Sequence, residues 1–210
     1  MQRPTRPRKT PTRSEAPAPG TRERVLEVTR ALIAERGNAA ISLVEVAASA
    51  GLSRQALYLL FGSRAGLLLA LVEQLDAASD IPNRLAAIRQ GLPAAEALEP
   101  YLRNWFEYLP VVLPVARALQ AAATTGDADA RAAWDSRMQK LRDGFLQMAK
   151  GLKAAGRLQD GWSGEAAGEW MFAQTHVDMW QHLVVEAGWR PRDAVARIVS
   201  GLRATLLVPG

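Results

Sequence analysis

Apolar residues return at every third or fourth position along most of this chain, the period of helices, and no segment shows a convincing two-residue alternation. A first helix is predicted over about 21–36, with Val25, Val28, Thr29, Leu32 and Ile33 on its inner side and Gly37 as its stop. Ser42 followed by Glu45 has capping-box spacing, in which hydroxyl and carboxylate reciprocally satisfy free backbone donors, and Ile41 and Val46 stand at hydrophobic-staple positions. A second helix therefore begins at Leu43 and ends near Ala50, where Gly51 can take the left-handed conformation of a tight turn and Leu52 re-enters the core. Ser53 caps a third helix, from Arg54 to about Phe61, and after Gly62 the hydroxyl of Ser63 caps a fourth from Arg64.

The pattern is strongly apolar from Leu67 to Leu75, and the segment 80–93, with Pro82, Gly91 and Pro93, reads as a broken connection. Further helices are predicted at about 94–109, 111–123, 127–155, 163–187 and 192–207, punctuated by Pro110, Gly126, Gly156, Gly161, Gly188 and Pro191. The fold class is all-α, with about nine helices.

Small Ala47, Gly51 four residues on and Leu57 six further have the spacing of a helix-turn-helix: close helix approach, a sharp turn and a buried anchor on the second helix. The same triplet also suits a plain helical hairpin. The wider segment, Arg24 to Val72, ending in VAASAGLSRQALYLLFGSRAGLLLALV, resembles the head of TetR-family transcriptional regulators. The resemblance rests on Glu35-Arg36-Gly37, the turn of Ala50 to Ser53, Leu57-Tyr58 followed by Phe61, Ser63-Arg64 and the leucine-rich fourth helix. It implies that Arg54, Gln55 and Ala56 face bases from the start of the recognition helix, and that Tyr58 reaches a phosphate. The residue chemistry agrees, since arginine donates in bidentate fashion to guanine and glutamine pairs with adenine. Ser42, Ser53 and Arg64 lie at helix starts, where free N–H groups favour phosphate, and where capping or a solvated charge is the plain alternative.

The segment departs from the family pattern at Leu59-Leu60, where polar or basic residues more often precede the phenylalanine. Leu60 is expected either to pack or to touch thymine methyls. Gly66 stands where an acidic partner to the Ser63 cap is common, and Asn38 where an aromatic often follows Gly37.

These readings divide the chain into a basic arm over 1–20, a three-helix head over 21–66, and a body over 67–210 in which a fourth helix links the head to a helical bundle. The arm holds Arg3, Arg6, Arg8, Lys9 and Arg13 against Glu15 alone, much of the net charge of +5, and is expected to be disordered. Its role is either to meet a polyanion such as DNA or to be a solubilising leader. With 49% hydrophobic residues the remainder can bury a good core. No uncharged apolar stretch reaches the roughly 18 residues of a membrane span, so no membrane is expected and the cytoplasm is the expected location. Cysteine is absent, which excludes disulfides, thiolate metal sites and a cysteine nucleophile.

In the body, the resemblance implies a ligand-binding domain whose last two long helices pack against their twins in a homodimer. The predicted helix over 163–187 is apolar around much of its circumference and needs burial on two sides. Trp180 and Val184 on it, with Ile198, Leu202 and Leu206 on the last helix, are the expected interface residues. Trp105, Phe106, Tyr108, Trp134, Met138, Phe145, Met148, Trp170 and His176 are candidates to line a pocket for a small apolar or aromatic effector, with ordinary core as the alternative. His176 is a candidate hydrogen-bond partner of that effector. Asp178, His182 and Glu186 share one helical stripe, but spread over two turns they cannot all converge, so no metal is expected, nor any cofactor besides the effector.

The function expected is a sequence-specific, ligand-responsive repressor that binds a pseudo-palindromic operator in double-stranded DNA as a dimer. The alternative is an effector-independent DNA-binding or partner-binding helical module. An enzyme is not expected, because no nucleophile with a nearby base, no Gly-rich phosphate loop and no repeated carboxylate–histidine set is found.

Overall fold

The computed structural model describes residues 20–36 and 41–209, so the basic arm through residue 19, the Gly37 stop and Asn38 lie outside the described residues. Within them the chain is helical, and the one β-pairing is an isolated bridge between Leu158 and Leu207.

The head is three short helices. α1 (Thr21–Arg36) buries Val25, Leu26, Thr29 and Ile33, and the Thr29 hydroxyl is satisfied by donating to the Val25 carbonyl at 2.7 Å. α2 (Leu43–Ala50) opens on the expected capping box, and Ile41 and Val46 are both buried beside it. It closes on Gly51 at φ 66°, whose N–H returns to Ala47 and Ala48, while the N–H of Leu52 donates to Ala47 at 2.9 Å. A β-carbon would be strained at that φ. α3 (Arg54–Phe61) begins on the Ser53 cap and buries Leu57.

α4 (Arg64–Ser79) joins head to body: it packs on α1 and α3 on one side of the molecule and on the body helices on the other. Gly66 in its first turn explains the missing acidic partner, because a β-carbon there would sit 2.0 Å from the Phe61 carbonyl oxygen. The corner between α3 and α4 is too tight for any side chain at that position.

The segment expected to be a broken connection is instead α5 (Ile81–Gly91). α4 ends on Asp80, the non-glycine residue with positive φ (49°) among those described, and the chain restarts at once as a helix. Pro82 sits in the first turn, where its missing N–H costs nothing and its fixed φ favours a helix, so it starts α5 rather than breaking it.

Two predicted helices merge into α6 (Ala94–Thr124), which runs through Pro100, Pro110 and Pro114. An interior proline costs roughly 3 kcal/mol in an exposed helix. Here Leu98, Tyr101, Leu102, Trp105, Phe106, Leu109, Val112 and Leu113 are all buried around those prolines, and each large side chain contributes about 1.5–3 kcal/mol on burial. Packing outweighs the lost backbone bonds.

α7 (Ala128–Ala154), capped by Asp127, lies along α6 and against α8 (Gly164–Thr175). α8 and α7 meet closely at Gly168, where a β-carbon would stand 2.7 Å from a methyl of Leu146. The single helix expected over 163–187 breaks at His176 (φ −63°, ψ 150°) and resumes as the short α9 (Val177–Trp180), which runs into a π-helical turn over Gln181–Glu186. The reason is tertiary: the Trp105 indole N–H from α6 donates to the Thr175 carbonyl at 2.9 Å, taking the acceptor that a continuing helix would use. α10 (Pro191–Leu206) follows, and the N–H of Gln159 donates to the Leu206 carbonyl at 2.8 Å to tie its end to the α7–α8 loop. Among the described residues no single helix is long and apolar enough to cross a membrane.

Candidate nucleic-acid interface and effector cavity

α3 turns Leu57 inward and leaves Arg54, Gln55, Tyr58 and Leu59 exposed, the arrangement that i, i+4 spacing produces on one outward stripe. Tyr58 is 47% and Leu59 61% exposed, well beyond what either side chain would keep in a folded core. Ala56 is half-buried, and its N–H is held by the Ser53 hydroxyl at 3.1 Å. Leu60 is also half-buried and packs against the core. The exposed leucine is thus Leu59, beside the recognition side chains, which the sequence reading singled out as a departure without assigning it a contact.

Ser42 and Ser53 perform the capping expected of them. Ser42 receives the Glu45 N–H at 3.3 Å, and its own N–H donates to Glu45 at 2.9 Å. Glu45 also pairs with Arg36 at 2.5 Å, binding the end of α1 to the start of α2. These contacts, the Arg36 bond first and the Ser42 backbone N–H second, lower the Glu45 carboxyl from its usual 4.5 to about 2. Arg64 donates from Nε to the Ile41 carbonyl at 2.8 Å, fixing the first residue of α4 against the segment leading into α2. It therefore positions the head from within, a role the phosphate expectation did not include.

The pocket candidates separate into four places. Trp105, Tyr108 and Met138 line a cavity of about 400 Å³ bounded by α4, α5, α6 and α7, with Asp76, Leu85, Arg89, Tyr101 and Arg137 in its wall. Phe106 instead stacks on Trp180, ring centroids 5.6 Å apart, beside a smaller cleft of about 310 Å³ near Pro191. Trp170 and His176 lie on an outer, largely apolar depression with Trp162, Ala166, Phe172 and Met179. Trp134 packs edge-on to His176, while Phe145 and Met148 are buried core residues.

Asp76 and Arg137 were not singled out from the sequence. Asp76 is buried near the end of α4, where it accepts the Tyr108 hydroxyl at 2.5 Å and pairs with Arg137 of α7. Burial first, and the hydrogen bond to Asp76 second, push the Tyr108 pKa up, so the phenol stays protonated. A signal was present: Leu68, Val72 and Asp76 share one buried i, i+4 stripe, and a carboxylate continuing such a stripe requires a partner.

His176 caps α9, its Nδ1 accepting from the Asp178 N–H at 3.3 Å, and the same nitrogen lies 3.1 Å from an Asp178 carboxylate oxygen. One nitrogen cannot accept from the first and donate to the second. Burial lowers the His176 pKa, which favours the neutral ring and the backbone bond. The Asp178 carboxylate pairs with Arg117, while His182 meets Glu186 at 3.2 Å, so the predicted stripe is divided between separate partners. Among the described residues no group of three or more such side chains could hold a metal ion.

The expected interface residues need correction. Trp180, Ile198, Leu202 and Leu206 are buried within the subunit itself, because the break at His176 turns Trp180 onto Phe106 and α10 lays its apolar face on α6 and α8. Val184, in the π-helical turn, is half-buried and packs against the core. Trp170, 41% exposed on the outer side of α8, stands beside half-buried Trp162 of the segment leading into that helix, ring centroids 6.3 Å apart.

A model of the bacterial regulatory proteins, tetR family, matches residues 25–71, the whole of the helix-turn-helix and the first half of α4. Among solved structures, the chain is similar to a transcriptional regulator of the TetR/AcrR family from Thermobifida fusca YX-ER1, at 19% identity over 86% of this chain and 95% of that one, TM-score 0.63. It is similar to SmeT, the repressor of the Stenotrophomonas maltophilia multidrug efflux pump SmeDEF, at 17% identity over 90% and 91%, TM-score 0.67. It is also similar to the Thermus thermophilus TetR-family repressor FadR, solved in complex with lauroyl-CoA, at 21% identity over 90% and 96%, TM-score 0.61. No curated protein matches. The head of the chain thus matches the model of the tetR family of bacterial regulatory proteins, and its whole length has the fold of the regulators it is similar to.

Proposed function

We propose that the protein is a ligand-responsive repressor that reads a pseudo-palindromic operator as a homodimer. The observation that carries this reading is the exposed stripe of Arg54, Gln55 and Tyr58 on a helix that is capped at Ser53 and anchored at Leu57. A rigid helix presenting an arginine and a glutamine at its start has the donors needed to read guanine and adenine in the major groove. Ala56 and Leu60 lie beside that stripe for apolar contact, and Ser42, Ser53 and Arg64 stand at helix starts where phosphates can be held.

The partner face in this reading is the outer side of α8, where Trp162, Ala166, Trp170 and Met179 form an apolar depression open to solvent. A patch of this kind on a charged protein is the usual mark of an association surface. The effector site is the cavity beneath α4, since a ligand there touches Asp76 on the helix that also holds the head. A ligand shifts the head only through different affinities for its two arrangements.

Selection of genomic fragments by the purified protein, followed by footprinting, tests the reading. A protected inverted repeat with half-sites about one helical turn apart is the expected result. Diffuse protection with equal affinity for all fragments would replace it with an effector-independent, non-specific DNA binder.

A further inference from the structure

The wall of the cavity beneath α4 holds two polar groups of opposite standing. Asp76 is fully engaged, taking the Tyr108 hydroxyl and two N–H groups of Arg137. Arg89 of α5 is half-buried and meets no carboxylate within ion-pair distance among the described residues. Its guanidinium lies 5.7 Å from the centre of the Tyr101 ring, and NH1 donates to the Tyr101 hydroxyl over a long 3.4 Å. That hydroxyl has its own hydrogen to give, and no acceptor takes it among the described residues. Burial pushes the Tyr101 pKa up, so the hydrogen stays in place at neutral pH.

Gly144 of α7 keeps this corner open. A β-carbon on it would sit 2.5 Å from the Tyr101 hydroxyl oxygen and 3.8 Å from an Arg89 terminal nitrogen. A guanidinium carries five N–H donors, and one long hydrogen bond to a phenol leaves most of them to solvent or ligand. Half-burial without an anion is costly for such a group, and a carboxylate or phosphate removes that cost. The charges agree: Arg89, Arg137 and Lys140 line the cavity against Asp76 and Asp143, and Asp143 is exposed and already accepts from Gln139 at 2.8 Å. One positive charge is left over. In the remaining wall Ile81, Pro82, Leu85, Trp105, Met138 and Leu141 are apolar, and Gln147 adds an uncharged amide.

We infer that the cavity takes an organic monoanion, an acid group on an apolar chain or ring, with the acid held by Arg89 and Tyr101 and the apolar part laid against Leu85, Trp105 and Met138. This rests on reading the body as a ligand-sensing domain. A neutral apolar molecule of equal size fills the wall but leaves Arg89 unpaired, and an organic cation meets an excess of positive charge.

The test is calorimetric binding of two matched pairs to the full chain: decanoate against 1-decanol, and 2-naphthylacetate against 2-naphthylacetamide. At least one acid binds about tenfold or more tighter than its neutral counterpart. Arg89→Gln abolishes that preference, bringing each acid to the affinity of its neutral counterpart, and Tyr101→Phe weakens the acid several-fold more than the neutral molecule. Thermal unfolding of each variant confirms that it is folded. Equal binding of acid and neutral molecules, an acid preference that survives in Arg89→Gln, or no binding of any probe would each overturn the inference. Operator binding is measured alongside: specific binding with no acid preference removes this inference alone, whereas loss of specific operator binding in the unliganded protein removes the repressor reading whatever the acids do.

Discussion

The carboxylate of Asp76 on α4 is paired with the guanidinium of Arg137 on α7, and through Asp76 the Tyr108 hydroxyl of α6 is joined to the same group. α4 begins at Arg64, which holds the head through the Ile41 carbonyl, so one helix carries a polar anchor at each end. Breaking the body anchor leaves a cation and a phenol without their acceptor. Asp76→Ala is expected to destabilise the protein by about 2–4 kcal/mol, toward the lower side of the range for a buried pair because Arg137 keeps some contact with water. Urea unfolding checks this; a change under about 0.5 kcal/mol, the level of an ordinary surface substitution, would show the pair to be unimportant.

Gly144→Ala places a methyl against the Tyr101 hydroxyl. Tyr101 cannot swing aside freely, since it is buried and packs edge-on to Phe145 at 5.5 Å. A loss of about 1–3 kcal/mol is expected. Tyr101→Phe removes the clashing oxygen, so the double variant should be more stable than the two single losses predict, by a double-mutant cycle.

Gly66→Ala drives a β-carbon into the Phe61 carbonyl, which is backbone and cannot yield as a side chain would. The α3–α4 corner must open, and stability falls by about 2 kcal/mol or more. Gly66→Glu, which would complete a capping box on Ser63, is expected to be no better. A stabilised Gly66→Glu protein in thermal unfolding would contradict the geometry of the corner.

Glu45 sets an acid limit on the head. Its folded pKa is lowered to about 2, so its contribution is present above the ordinary carboxylate value near 4.5 and is lost as pH falls toward 2. Wild-type stability should therefore decline over that window more steeply than that of Glu45→Gln. Matching acid profiles for the two proteins would mean that the Arg36–Glu45–Ser42 contacts do not survive in solution.

Arg54→Ala and Gln55→Ala are each expected to cost about 1–3 kcal/mol of operator affinity and to relax the preference at one base position. Tyr58→Phe should weaken all sequences alike if its hydroxyl meets a phosphate. Leu59→Ala should leave stability unchanged, since the side chain is exposed, and a loss of operator affinity would identify it as a contact. Gel-shift titration with the selected operator measures all four; normal binding by both Arg54→Ala and Tyr58→Phe would refute the recognition-helix assignment.

Local chemistry determined the head. The Ser42–Glu45 box, Gly51 and the Ser53 and Ser63 caps act within a few residues of themselves, so helices α2, α3 and the start of α4 were legible from the chain alone, as was the outward face opposite Leu57. What tertiary structure decided lies where a distant residue supplies or removes a backbone partner. Pro110 does not end α6 because the apolar residues around it are buried on both sides, and His176 does break the next helix because Trp105, seventy positions away, claims the Thr175 carbonyl. That break turns Trp180 inward and leaves Trp170 exposed on the outer side of the bundle. The cavity follows the same rule: Asp76, Arg89, Tyr101 and Arg137 come from four helices, and helical periodicity says which face each residue occupies but not which helix that face will meet.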